Sequence, residues 1–64
     1  MEYKVIVVGA AGLAGTNFER AAERLGALVN EAVVQGWKPQ GGVAVGESQM
    51  TREPYLLQAV VKGG

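Results

Sequence analysis

The chain has 64 residues, with no cysteine and no histidine, and its six basic side chains balance six acidic ones. Disulfides and thiolate chemistry are excluded, and the two residue types that supply most structural zinc ligands are missing. The even charge leaves no electrostatic footprint for nucleic acid or an anionic membrane, and no apolar run approaches the ~18 residues of a bilayer span.

The length predicts one small domain over residues 1–64, and its order of elements an α+β fold. A domain of this size buries only about 60% of its unfolded surface and usually relies on disulfides, a metal or a partner subunit. With the first two staples excluded, a homo-oligomer is the expectation. Met1-Glu2-Tyr3-Lys4 reads as the start of a strand and lacks the zones of a signal peptide, so a cytoplasmic location is expected.

Tyr3 to Val8 is β-branched, stops at Gly9 and predicts the first strand. Gly9 to Gly15 reads as a flexible connection of small residues. A helix follows. Thr16 and Glu19 match a capping box, with Asn17 as the competing cap one residue on. Phe18, Ala22, Leu25, Val29, Ala32 and Val33 form its predicted apolar stripe, flanked by Ala21 and Leu28. Glu19, Arg20, Glu23, Arg24, Asn30 and Glu31 face away. Gly26 interrupts the helix at a cost of ~1 kcal/mol relative to Ala.

Gly36 suits the left-handed residue that ends a helix, and Trp37 falls where an apolar side chain folds back on the last turn. Pro39 forbids further helix. Gly42 to Glu47 predicts a second strand, Ser48 to Glu53 a polar hairpin loop, and Tyr55 to Lys62 the third and most apolar strand. Gly63-Gly64 reads as a frayed end.

The order is β-α-β-β. Pairing of the first strand with the second or with the third is open from sequence. The third is richest in Leu and Val and belongs in the centre, which predicts a mainly antiparallel sheet of order 2-3-1. One helix is expected to pack on one face. The face bearing Lys4, Gln58 and Lys62 is predicted to point outward. It also carries Ile6, Val8, Leu56 and Val60, which are therefore the candidate oligomer interface.

Glu2-Tyr3-Lys4-Val5, Val29-Asn30-Glu31, Gly36-Trp37, Pro39-Gln40-Gly41-Gly42-Val43-Ala44-Val45 and Gln58-Ala59-Val60-Val61-Lys62 together span nearly the whole chain. In this pattern the chain resembles a family of short bacterial domains of unknown function. The resemblance implies a small α+β fold and no activity. The Gly9 to Gly15 segment is longer and richer in glycine than that pattern.

Gly9, Gly12 and Gly15 follow a strand and precede a helix, as in a dinucleotide fingerprint. The acidic residue that should follow ~20 positions on, at a strand end, is missing, because that window lies in the helix. The segment reads as a connection. Trp37, Gln40, Tyr55 and Gln58 could line a site for a planar ligand. The element order is similar to that of dodecins, flavin-storing proteins that use an aromatic ring and a Gln at subunit interfaces. The alternative reading is that Trp37 staples the helix end to the sheet.

The dispersed carboxylates suggest no metal site, and nothing suggests a catalytic nucleophile with a base beside it. The expectation is a non-enzymatic, homo-oligomeric interaction or scaffold module without a cofactor, its other protein partners unknown. An oligomeric nucleotide or flavin binder, with a site near Trp37 and the Gly9 to Gly15 segment, is the alternative.

Overall fold

The computed structural model describes residues 1–12 and 15–63. Its elements are β1 (Glu2–Gly9), β2 (Ala11–Gly12), β3 (Gly15–Thr16), α1 (Phe18–Val34), β4 (Lys38–Glu47) and β5 (Pro54–Lys62). The main sheet has the order β1-β5-β4, antiparallel throughout, with the most apolar strand in the centre. This is the predicted order, with the first strand beside the third.

β1 pairs with β5 over eight residues without interruption, from Glu2 opposite Lys62 to Gly9 opposite Tyr55. β4 is longer than predicted. It begins at Lys38, and its pairing with β5 jumps from Gln40–Ala59 to Ala44–Leu57. Gly41, Gly42 and Val43 thus oppose Gln58 alone. Such a bulge needs backbone freedom, which Gly41 supplies at φ +74°. The sequence Gln-Gly-Gly hides this early start because it lacks the β-branched residues that mark strands.

The segment after β1 is not wholly a loop. Ala11 pairs with Thr16, and Gly12 with Gly15, in a small second sheet. Residues 13 and 14 of the predicted flexible connection lie outside the described residues, as does Gly64. Thr16, held in β3, does not cap the helix. Asn17 does, its Oδ1 accepting from the Arg20 amide at 3.0 Å. The Asn17 amide is itself fixed on the Ala10 carbonyl at 2.8 Å.

The helix ends as the sequence predicts. Gly36 takes φ +98°. Its amide donates to Val33 at 3.0 Å, and the Trp37 amide donates back to Ala32 at 3.0 Å. This pair of bonds satisfies two carbonyls of the last turn and turns the indole onto it.

The buried side chains form two apolar clusters. Val8, Ala10 and Leu56 meet Ala21 and Leu25 of the helix, with Ile6, Leu28 and Val29 packed alongside. Val60 meets Ala32 and Trp37, again with Ile6. The buried helix stripe is therefore Ala21, Leu25 and Ala32, shifted from the predicted one. Phe18 and Val33 stay 46% and 48% exposed. Alanine at two contact points suits close approach of the backbone to the sheet.

These clusters correct the interface prediction. Ile6, Val8, Leu56 and Val60 do not form an outer surface. Val60 is 0% exposed and Leu56 6%, both among helix or helix-end residues.

Candidate interaction surface

The polar residues that pointed to an outward face have other roles. Gln58 is 5% exposed. Its Nε2 donates to the carbonyls of Ala59 at 2.9 Å, Gly41 at 3.2 Å and Gln40 at 3.4 Å. The part-buried Gln58 amide thus meets two carbonyls of the bulged strand and one of its own. Lys4 and Lys62 lie at the sheet end beside Trp37. Their ammonium groups sit 4.5 Å and 5.7 Å from the indole centroid, within cation–π range. Their aliphatic stems cover apolar surface while the charges reach water.

The candidate ligand residues do not converge. Trp37 is 9% exposed and belongs to the core. Tyr55 lies opposite Gly46, and its ring occupies the space a side chain there would need. A Cβ at Gly46 would come within 2.7 Å of the ring. Gln40 meets Gln58 through its carbonyl. Gly9 lies across from Tyr55, and Gly12 across from Gly15. Trp37 precedes Lys38, which pairs with Val61. The Gly9 end of β5 is six residues away, roughly 20 Å along a strand. Among the described residues, Trp37 and Gly9 therefore lie toward opposite ends of β5.

The face left open is the other one. Tyr3, Val5 and Val7 of β1 are 65%, 45% and 53% exposed. Their partners on β5, Val61, Ala59 and Leu57, are half-buried. On the far side of β5 the same rows continue to Lys38, Gln40 and Ala44, and the Tyr55 row to Gly46. β1 and β5 put no charged residue on this face, and β4 puts only Lys38 there, at one end. That absence of charge was the signal in the sequence. Lys4, Gln58 and Lys62 on the opposite face obscure that signal.

An apolar hollow of about 250 Å³ runs between α1 and β4, lined in part by Ala22, Gly26, Val29, Pro39 and Val43. A Cβ on Gly26 would meet nothing within 4 Å, so this glycine borders open space and does not serve close packing.

Among the described residues no three Asp or Glu side chains are grouped to hold a metal ion, and no helix is long and apolar enough to cross a membrane. No family model, curated protein or solved structure matches the chain.

Proposed function

We propose that this chain is a homo-oligomeric interaction or scaffold domain that works without catalysis. Its excess of accessible surface carries the reading. The single chain exposes 4796 Å², whereas a folded monomer of 6.7 kDa exposes about 3900 Å². Its radius of gyration is 12.7 Å, against about 11 Å for a compact chain of this length. The shortest dimension is 14 Å, about that of a sheet with one layer on it.

The surplus of about 900 Å² is close to the ~800 Å² that each partner contributes to a standard protein interface. A chain with no disulfide or metal to compensate has reason to cover that surface with another subunit. The lack of histidine and cysteine removes the commonest general bases and thiol nucleophiles.

Sedimentation or light scattering of the purified protein at micromolar concentration is the test. A mass at least twice 6.7 kDa is expected. A stable monomer would overturn the reading.

A further inference from the structure

We infer that a second copy of this chain covers the open sheet face, sheet against sheet, about a two-fold axis that runs along β5. The inference rests on the self-association proposed above and adds the surface and the symmetry. Sheets pack face to face about 10 Å apart with their strands nearly aligned, so three strands can cover three strands.

The distribution of side-chain size on this face selects the axis. Tyr3, Val5 and Val7 make β1 the bulky border. On β4 the same rows hold Gln40, Ala44 and Gly46, after Lys38. A two-fold along β5 places β1 of each copy over β4 of the other, and β5 over β5. Val7 then lies over Ala44, Val5 over Gln40 and Tyr3 over Lys38, twice each, as an isologous interface requires. In the row that holds Ala44 the larger Val7 meets the smaller alanine, and in the last row Gly9 over Gly46 leaves room on either side of the two Tyr55 rings. A two-fold across the strands would instead stack β1 on β1 and β4 on β4, which separates Val7 from Ala44 and Lys38 from the Tyr3 ring.

Charge agrees with this choice. Lys38, the single charge on the face, lies at its end, where the flexible stem reaches water and the ammonium can sit beside the Tyr3 ring of the other copy. A foreign partner would need the same stepped shape, whereas the face supplies both halves of it.

The test uses the full chain and charged variants, read by native mass spectrometry and sedimentation. Val7 is 53% exposed in the single chain, so Val7→Lys should keep the wild-type far-ultraviolet spectrum and fall to a monomer. Ala44→Glu should do the same. Mixing the two should restore a dimer, because one copy's new lysine meets the other's new glutamate. If Val7→Lys fails to fold, Val5→Lys mixed with Gln40→Glu takes its place.

A wild-type monomer overturns the reading and the inference together. A wild-type oligomer whose folded Val7→Lys variant keeps the full mass overturns this face alone. Association of Val7→Lys with Val7→Glu, without association of Val7→Lys with Ala44→Glu, overturns the axis.

Discussion

The two faces of one three-stranded sheet differ in a way opposite to their sequence polarity. The face with Lys4, Gln58 and Lys62 holds the core, while the face with no charge on β1 or β5 lies open. On the covered face Gln58 meets three carbonyls, and Lys4 and Lys62 sit at the end of the sheet above Trp37. A polar side chain is therefore no sure mark of solvent. It is compatible with burial wherever its hydrogen bonds are met, and its cost there is small.

The contrast is broken most severely at Val60. Val60→Lys places a charge at a position 0% exposed between Ala32 and Trp37. An uncompensated buried charge costs on the order of 3–5 kcal/mol, a large share of the total stability of a domain this small. Loss of the far-ultraviolet helix signal is expected. Retention of fold, with only the oligomeric mass reduced, would return Val60 to an intersubunit surface.

Trp37→Ala comes next. Large aromatic truncations in cores cost about 3–5 kcal/mol, and this one also uncovers Val60 and the helix end. Urea denaturation at fixed protein concentration should show the lower midpoint. An equally stable variant would mean that the indole does not bind the helix to the sheet.

Gln58→Met removes the donor at similar volume and leaves the carbonyls of Gln40, Gly41 and Ala59 without it. These acceptors are only part-buried, so the loss falls toward the lower end of the about 1–3 kcal/mol of fully buried unpaired groups. No loss in the same denaturation assay would show that the bulge needs no side-chain donor. Gly26→Ala is the smallest and has the opposite sign. Its Cβ would meet nothing within 4 Å, so helix propensity alone should raise stability by up to ~1 kcal/mol. A decrease would mean that the hollow between α1 and β4 is filled in solution.

Much of the fold was legible because it is encoded locally. The helix stop at Gly36-Trp37, the hairpin loop from Ser48 to Glu53 and the apolar run from Tyr55 depend on backbone freedom, missing amide protons and β-branching within a few residues. The choice between Thr16 and Asn17 as cap was not legible, since Thr16 is excluded by its pairing with Ala11 across the small sheet. The early start of β4 was hidden by glycines that the bulge requires.

The candidate surface was less legible than the fold. Alternation along Tyr3 to Val8 divides the strand into two faces, and by itself determines which residues share one. Which face the helix takes is a long-range matter. It was decided by the alanines of α1, the bulge that Gln58 seals and the place of Trp37 at the end of the sheet. The sequence alone determined the elements, the central strand and the shortage of internal staples, because each follows from local propensity or from composition. Only the tertiary structure decided which apolar set became the core, because both faces are apolar enough to be buried and one helix can cover one of them.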